Sequence, residues 1–557
     1  MLSPPRISGR LLRALAKAAR TKAGSRGLYR LLRADLKIDA LTNLAEECRG
    51  TVPLHVRPVQ GRPPRKAEDA GLALPGDASW SGTSARFVAA YTSDETTPSE
   101  VISRCLEEAR SLAARTPSIG PILCYADGDA RSDAEAATER YRTKRTRGPL
   151  DGVPFAVKEQ TSVKNLPRQA GTTFLSAAPC SEDATCVARL RAAGAIVIGT
   201  TPMTEFGMSP VGQNSKRTLP KNPHSPDHIA GGSSTGSGVA VATGLVPFAI
   251  GADGGGSIRI PAAMNGVFGI KPTWGRISRA GDISSGSVAH LGPLASSTLD
   301  LALVLEHVGA TDSADPETAF APPIEPGSLL RALGRGVKGL RIAVDEHEWG
   351  DASKSVEKAG REALRALERD GAVLVPVKLR MARYAPAIGY MSIGPESLGA
   401  LKREWANNAD DMGADLQIAF GSLGEVGALD YIETQRLREG LRREIAQMFA
   451  DVDLMALPST AQTAARASEA EMASGFLDAR LLANLCRFAF LGNLTGLPAS
   501  SCPVGLDDDS LPIGFQLMGD AWDEATVLAA TAHLERSGVA CAKKPAVSAD
   551  VFRRRSR

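Results

Sequence analysis

The chain has 557 residues, of which 43% are hydrophobic, and carries 65 basic against 62 acidic side chains. This length and apolar content allow a large core in one big domain or two. The eight cysteines are scattered without a Cys-x-x-Cys pair, so neither a zinc site nor a dense disulfide framework is indicated. The longest apolar stretch, residues 238–252, is too short and too broken by Gly and Pro to span a bilayer.

The N-terminal segment is strongly basic, because residues 1–34 contain nine Lys or Arg and no acidic residue. Leucines and alanines within residues 6–20 are spaced as on one face of an amphipathic helix. The chain between its basic ends is net acidic, so we expect this helix to dock on the protein's own body or on a second subunit. Peripheral membrane binding, self-association as a homodimer and a transit peptide are alternatives. No apolar region of a secretion signal is present, which favours a cytoplasmic protein.

A short buried strand is predicted at residues 153–157, after Gly and Pro turn signals, and it ends at Lys158. An interior lysine is costly unless it has a partner or a task, and burial lowers its pKa. A serine nucleophile needs a base, and none of the seven histidines lies in an obvious catalytic context. Lys158 is therefore the candidate base. Pairing with Glu159 or Asp151 at a surface strand end is the non-catalytic alternative.

Helical and strand patterns alternate further along the chain. A helix at residues 183–193 leads into a strand at 195–201, and a strand at 339–346 is followed by a helix at 353–371 and a strand at 372–379. Such alternation predicts an α/β fold with a buried, largely parallel sheet.

Two glycine loops that carry serines bracket an apolar stretch at residues 231–261. In the second loop, three consecutive glycines precede Ser257 and leave backbone N–H groups unobstructed beside its hydroxyl. An oxyanion hole requires such donors, so the two loops suggest a nucleophile site, with ordinary surface loops as the alternative. A helix that starts after Ser257 would also favour negative charge there.

The first loop permits another interpretation, because residues 232–236 fit the Gly-x-Ser-x-Gly elbow of α/β-hydrolases. Ser234 would then be the nucleophile and His533 the most plausible histidine. The elbow needs a strand directly before it, whereas residues 222–227 have turn chemistry, and the surroundings of His533 predict an ordinary amphipathic helix.

No metal, cofactor or nucleic-acid site is expected. His224 and His228 have helical spacing, but Pro226 between them favours a loop. The run Asp-Glu-His-Glu at 345–348 could suggest a metal site, but the sequence has no second cluster of metal-binding residues to complete it. No Walker loop is present, and the glycines before Ser257 lack the context of a dinucleotide fingerprint.

Taken together, three segments resemble the amidase signature family: GVPFAVKE with Lys158, GGSSTGSG with Ser233 and DGGGSIRIPAA with Ser257. TTPMTEFGM and GNLTGLPASSCPVG also look like family elements, and the resemblance runs from about residue 95 to 540. It implies the amidase signature fold, a mixed twisted β-sheet core flanked by α-helices. The chain then divides into a basic helical extension (1–94), a catalytic domain (95–540) and a basic tail (541–557).

The resemblance also implies roles for individual residues. Ser257 would be the nucleophile, Ser233 a bridging serine that follows a cis Gly232-Ser233 peptide bond, and Lys158 the base. The oxyanion hole would be formed by the N–H groups of Gly254, Gly255, Gly256 and Ser257. The supporting residues would be Gly232, Ser234, Asp253 and Arg259. The substrate pocket would involve Met203, Thr204 and Phe206, for each of which a core role is the alternative, together with the variable helical region 380–450.

The function implied is hydrolysis of a small-molecule carboxamide to a carboxylate and ammonia or an amine, through an acyl-serine and without a cofactor. Two alternatives stay open. One is a glutaminase of the amidotransferase type, which supplies ammonia to a partner. The other is a non-catalytic or membrane-associated binding protein on the same fold.

Overall fold

A computed structural model describes residues 6–49, 58–61, 79–284 and 286–553. Within these residues, eleven strands form one large sheet and two short strands form a second. The strands are β1 (Ile7–Ser8), β2 (Cys124–Tyr125), β3 (Pro154–Lys158), β4 (Ile196–Thr201), β5 (Phe248–Asp253), β6 (Phe268–Lys271), β7 (His290–Ala295), β8 (Arg341–Val344), β9 (Val373–Pro376), β10 (Leu454–Pro458), β11 (Phe476–Leu477), β12 (Ala499–Leu506) and β13 (Pro512–Gly519).

Helices pack on the sheet, and further helices precede its first strand and follow its last strand in the chain. They are α1 (Gly9–Ala19), α2 (Lys22–Asp35), α3 (Ile38–Thr42), α4 (Ser84–Thr92), α5 (Pro98–Ala113), α6 (Asp127–Arg142), α7 (Thr185–Ala192), α8 (Thr235–Ala242), α9 (Arg259–Asn265), α10 (Thr298–Val308), α11 (Ser328–Ala332), α12 (Glu346–Gly350), α13 (Lys354–Arg369), α14 (Ala385–Ala400), α15 (Lys402–Asn408), α16 (Ala414–Leu423), α17 (Ala428–Asp451), α18 (Glu469–Ser474), α19 (Ala479–Cys486), α20 (Phe490–Thr495) and α21 (Glu524–Arg536).

The large sheet is mixed, with the strand order β2-β4-β3-β5-β7-β6-β12-β13-β10-β8-β9. Strands β4, β3 and β5 are parallel, as are β10, β8 and β9, whereas the pairs between these groups are antiparallel. The prediction of a largely parallel sheet is therefore wrong, and the mixed sheet implied by the family resemblance is confirmed. Hairpins such as β12–β13 carry apolar runs like those of parallel strands, so alternation of elements does not reveal their direction.

Individual elements follow their sequence patterns closely. The predicted helices and strands around β3, β4, β8, β9, α7 and α13 are present within a few residues of the expected bounds. Helix α5 begins at a capping box, in which the Thr97 side chain accepts from the Glu100 N–H and the Glu100 side chain accepts from the Thr97 N–H. Helix α13 buries Val356, Ala363 and Leu367 on one face and exposes its charged face.

The basic N-terminal helix docks on the protein itself. Helix α1 buries Leu12, Ala16 and Ala19 against Ile418 of α16, and β1 pairs with β11. Ion pairs join this segment to acidic residues of the body: Arg6 with Glu471 and Asp478, Arg20 with Asp410, Arg26 with Glu425, and Arg33 with Asp430. Leu12, Ala16 and Ala19 of the apolar face are thus packed on protein, whereas Leu11 is 58% exposed. No described helix is long and apolar enough to cross a bilayer.

The packing moves both boundaries of the catalytic body. Helix α4 lies before residue 95, yet Phe87 and Tyr91 are part of the main core. Near the other end, the Phe552 ring lies 4.7 Å from the Phe87 ring between centroids. The packed body therefore includes residues 79–94 and 541–553, whereas the division followed the extent of the family resemblance, from about residue 95 to 540. The basic residues Arg554, Arg555 and Arg557 lie outside the described residues.

Candidate active site

The candidate site lies where two neighbouring parallel strands end. Strand β3 pairs with β5 in a register that places Val157 beside Ile250, so Lys158 and Asp253 emerge at the same edge of the sheet. Carboxyl ends of parallel strands are where α/β folds build their ligand sites. The loop with Ser257 continues directly from β5 and leads into helix α9.

Lys158 and Ser233 form a buried hydrogen-bonded pair. The Lys158 Nζ lies 2.7 Å from the Ser233 Oγ, and the two side chains are 1% and 2% exposed. Burial lowers the pKa of Lys158 to about 7, although Asp282, Asp253 and Glu159 favour the charged form. Near neutral pH, a large fraction of Lys158 is therefore the free amine that a base requires.

The non-catalytic alternative for Lys158 does not hold. Glu159 is buried and forms an ion pair with Arg217 at 3.0 Å. Asp151 is buried and forms an ion pair with Arg140. Both carboxylates have other partners, so the hydrogen bond to Ser233 is the polar contact of Lys158 in the described structure.

The first glycine loop has the predicted cis Gly232-Ser233 peptide bond. Ser234 ties this loop to the second one: its N–H donates to the Ser257 carbonyl at 3.3 Å, and its Oγ donates to the Ala252 carbonyl at 3.2 Å. Ser234 is fully buried and no strand precedes the loop, so it braces the loop and does not fit a nucleophile elbow. His533 instead pairs with Asp370 at 2.9 Å.

The second loop is held by a buried ion pair between Asp253 and Arg259, both fully inaccessible to solvent. Asp253 also accepts from the Ile258 N–H and from Asn493. Burial opposes its ionisation, but the Arg259 guanidinium outweighs that effect and holds the pKa of Asp253 well below its usual range. Arg259 in turn donates to Gln516 at 2.7 Å. These contacts fit the predicted bracing role.

We expect Asp253→Asn to lower the free energy of unfolding by about 3 kcal/mol and kcat by at least about tenfold, because it leaves Arg259 buried without its counter-charge. Urea unfolding at pH 7 and initial rates on a primary amide measure the two effects. Asp508→Asn, at an exposed turn, is the matched control and should change neither quantity. Unchanged stability in Asp253→Asn would show that the ion pair does not brace the loop.

One predicted oxyanion donor needs correction. The Gly256 N–H donates to the Asp253 carboxylate at 2.7 Å. It therefore stabilises the loop and is not free to bind an oxyanion. Gly256 has a φ of 113°, and an added Cβ would come within 2.6 Å of Ile260. The N–H groups of Gly254, Gly255 and Ser257 are the donors left for the oxyanion hole. Gly254 and Ser257 line the cavity beside the loop.

A narrow cavity of about 70 Å³ joins the candidate residues. Ser257 is 9% exposed at its wall, and the region 380–450 contributes Ile393, Ser397 and Leu401, in line with the predicted pocket region. The other described lining residues are Lys158, Gln160, Phe206, Gly207, Met208, Ser233, Ala252, Asp253, Gly254, Ile283, Ser284 and Ala289.

The predicted pocket residues separate into two groups. Phe206 lines the cavity, whereas Met203 and Thr204 are fully buried behind it and do not. The Thr204 N–H donates to the Ser233 carbonyl at 3.4 Å, so this residue supports the first loop. Phe206 has a φ of 48°, a left-handed value that bulky residues rarely adopt, in the turn that follows β4. The chain changes direction at this residue, and only Phe206 of the three lines the cavity.

Several residues that line the cavity were not named in the prediction from sequence. Gln160 donates to Asp282 at 2.9 Å and to Ser284 at 2.8 Å, which builds one wall. Its place two residues after Lys158, at the end of β3, could have pointed to it. Ile393 and Leu401 were covered only by the predicted region 380–450 and not named individually, because an apolar residue on a helix has the same sequence pattern in a core and in a pocket. Among the described residues, no group of three His, Cys, Asp or Glu could hold a metal ion.

A mixed sheet with a buried lysine and two serine-bearing glycine loops at its edge is the architecture of an amidase signature enzyme. The family model described as Amidase matches residues 100–528, so the chain belongs to this family. It is a hydrolase that acts on amide C–N bonds.

Relatives and solved structures agree with this assignment. The chain is 33% identical to a fatty acid amide hydrolase of Medicago truncatula, with 88% of this chain and 84% of the relative aligned. It is 34% identical to the A subunit of the glutamyl-tRNA(Gln) amidotransferase of Chloroflexus aurantiacus, over 79% of this chain and 93% of the relative. The peptide amidase of Stenotrophomonas maltophilia superposes with a TM-score of 0.71 at 27% identity, over 84% of this chain and 98% of that chain.

Proposed function

We propose that the protein hydrolyses small amides through an acyl-enzyme on Ser257, with Ser233 and Lys158 as the proton relay. The observation that carries this proposal is the buried hydrogen bond of 2.7 Å between Lys158 and Ser233, with Ser257 on the wall of the same cavity. The neutral amine of Lys158 accepts the Ser233 proton while Ser233 accepts the Ser257 proton. The Ser257 Oγ then bonds to the amide carbon.

The carbonyl oxygen gains negative charge as this bond forms. The N–H groups of Gly254, Gly255 and Ser257 are the donors that can stabilise it. When the C–N bond breaks, the relayed proton goes to the leaving nitrogen, which departs as ammonia or an amine. A water molecule then gives a proton to the relay and its hydroxyl to the acyl carbon, which frees the carboxylic acid and restores Ser257.

The cavity favours an uncharged, apolar acyl group. Phe206, Met208, Ile393 and Leu401 supply apolar surface, whereas Lys158 and Asp253 are the charged groups among the described lining residues. Asp253 is bound by Arg259, so it is not free for a substrate ammonium. Glutamine would bring both an ammonium and a carboxylate, each costly to bury without a partner. Similarity to a fatty acid amide hydrolase supports the apolar class, although the amidotransferase relative is equally similar in identity.

A series of straight-chain primary amides tests the substrate class. We expect kcat/KM to rise about fourfold per added methylene until the cavity is filled, because each buried CH₂ contributes about 0.8 kcal/mol. Leu401→Ala should flatten this series, whereas Leu429→Ala, at a side chain 83% exposed, should leave it unchanged. Hydrolysis of glutamine faster than hexanamide would overturn the apolar class and favour the glutaminase. Assays with and without a partner protein then separate the two.

A further inference from the structure

A second cavity of about 70 Å³ lies next to the catalytic one. Met208 lines both cavities, so the two share a wall. The turn Glu205–Gly207 separates them: Phe206 and Gly207 line the catalytic cavity, and Glu205 lines the second. The other described lining residues of the second cavity are Ser209, Val211, Gln213, Asp415, Leu416, Ala419, Phe476, Leu477, Asp478 and Leu482.

Glu205 is buried with one oxygen unpartnered. The side chain is 7% exposed, and its Oε2 accepts from the Gly413 N–H at 2.7 Å. Its Oε1 is inaccessible to solvent and accepts no hydrogen bond from the described residues. Buried polar atoms are almost always satisfied, so an orphan carboxylate oxygen at a cavity indicates a missing partner.

Asp415 is the second carboxylate of this cavity. Its Oδ2 accepts from Gln213 at 3.2 Å. A Cβ added at Gly413 would lie 2.8 Å from the Asp415 Oδ1 and 3.1 Å from the Glu205 Oε2, so both carboxylates surround this glycine. None of the described side chains forms an ion pair with Glu205 or Asp415.

The basic groups nearby are engaged elsewhere or too distant. Arg217 pairs with Glu159 at 3.0 Å, and Lys216 acts on Glu205 only as a charge at longer range. Asp478, the third acid of the cavity, pairs with Arg6. The buried carboxylate of Glu205 and the half-buried one of Asp415 thus have no cationic partner among the described residues, which is an arrangement that a bound cation stabilises.

We propose that the second cavity binds a small ammonium ion, either ammonium itself or a primary alkylammonium. The N–H donors of such an ion match the unpartnered Oε1 of Glu205 and the neighbouring Asp415 carboxylate, and its size fits the cavity. The source would be the amine that hydrolysis releases across the Met208 wall, and this part of the inference rests on the proposed function. A metal is disfavoured, because the described residues contain no group of three metal-binding side chains.

Binding should strengthen as the pH rises from 6.5 to 8.5. Burial, and next the neighbouring Asp415 charge, raise the pKa of Glu205 to about 8, against the Gly413 N–H and the positive charges of Lys216 and Arg217. Below that pH, a cation must displace the Glu205 proton. Above it, the carboxylate is already charged.

Thermal unfolding tests the site without any enzymatic turnover. At pH 8.5, we expect saturating methylammonium chloride to raise the Tm of the wild type by about 2 °C over sodium chloride at equal ionic strength. Tetramethylammonium, which has no N–H donor, should give no such rise. Glu205→Gln and Asp415→Asn should each remove at least half of the difference, whereas Asp508→Asn should keep it.

Equal shifts in the wild type and in both cavity variants would overturn the proposed site. The two variants guard against a folding defect in either one, because each is compared with itself in the two salts. Ser257→Ala should show the same Tm shift as the wild type, because binding of the cation does not need turnover. If the wild type shows the shift but hydrolyses no amide, the cation site stands and the proposed source of the ion is wrong.

Discussion

Replacing Ser257 by alanine is expected to lower kcat for amide hydrolysis by at least about 10⁴-fold, the loss that removal of a serine nucleophile typically causes. Without the Oγ no acyl-enzyme can form, whatever Lys158 and Ser233 do. The fold should survive, because the change removes one hydroxyl from a cavity wall and leaves the Asp253–Arg259 pair intact. Initial rates on a primary amide and urea unfolding measure these two effects.

Covalent labelling gives an independent measurement of the same role. A fluorophosphonate should modify Ser257 in the wild type, as located by mass spectrometry, and should not modify Ser257→Ala. Ser284→Ala is the matched control, because Ser284 lines the same cavity and has no place in the relay. If Ser257→Ala and the wild type hydrolyse a panel of amides at equal rates, the acyl-enzyme mechanism is wrong.

Lys158→Met should be nearly inactive and yet more stable at pH 7. We expect kcat to fall by about 10³-fold or more, because the serine pair loses its general base. A pKa near 7 in the folded chain, against an ordinary value of 10.5, means that burying Lys158 costs about 4 kcal/mol at neutral pH. Its hydrogen bond to Ser233 returns only about 1 kcal/mol. Urea unfolding should therefore show a net gain of about 3 kcal/mol.

The sign of this gain is checked by its pH dependence. Because the pKa of Lys158 is lowered on folding, the unfolded chain holds more protons between pH 7 and 10.5, and the cost of the lysine decreases as the pH rises. The stability advantage of Lys158→Met should shrink accordingly towards pH 10. Wild-type kcat/KM should rise with pH through a midpoint near 7, where Lys158 becomes a free amine.

Lys271→Met is the control for a buried lysine in general. Lys271 is also fully buried, but its Nζ donates to the Pro272 and Leu497 carbonyls and it does not line the cavity. Its replacement should keep kcat within about tenfold of the wild type, given the usual size of indirect effects. Activity of Lys158→Met within tenfold of the wild type would exclude Lys158 as the base.

Individual helices and strands could be predicted from the sequence where the local pattern of apolar residues determines the element. The apolar run before Lys158 became strand β3, and the alternation at residues 339–379 became β8, α13 and β9. Strand direction and neighbours were harder to predict, because β12 pairs with β6 and β13 pairs with β10, and both partners are distant in sequence. The docking of α1 on α16 was one of several alternatives, because an amphipathic pattern does not show which surface the apolar face will contact.

The candidate site shows the same division. Lys158, Ser233 and Ser257 stand in segments whose residue types are unusual for a core, so motif reasoning could name them, and the structure places all three at one cavity. The correction at Gly256 depends on the direction of a single N–H, and that of Met203 depends on which side of a turn faces the cavity. Such facts arise from tertiary packing and leave no trace in residue order.

The pairing of β3 with β5 also bears on how the chain becomes active. These strands are about 90 residues apart in the chain, and the insertion between them includes β4 and α8. Contacts of such long range form after local ones, because closing the intervening loop costs entropy. During refolding, helical content should therefore return before the cavity is complete. Recovered catalysis reports the closure of the central sheet, not the appearance of secondary structure.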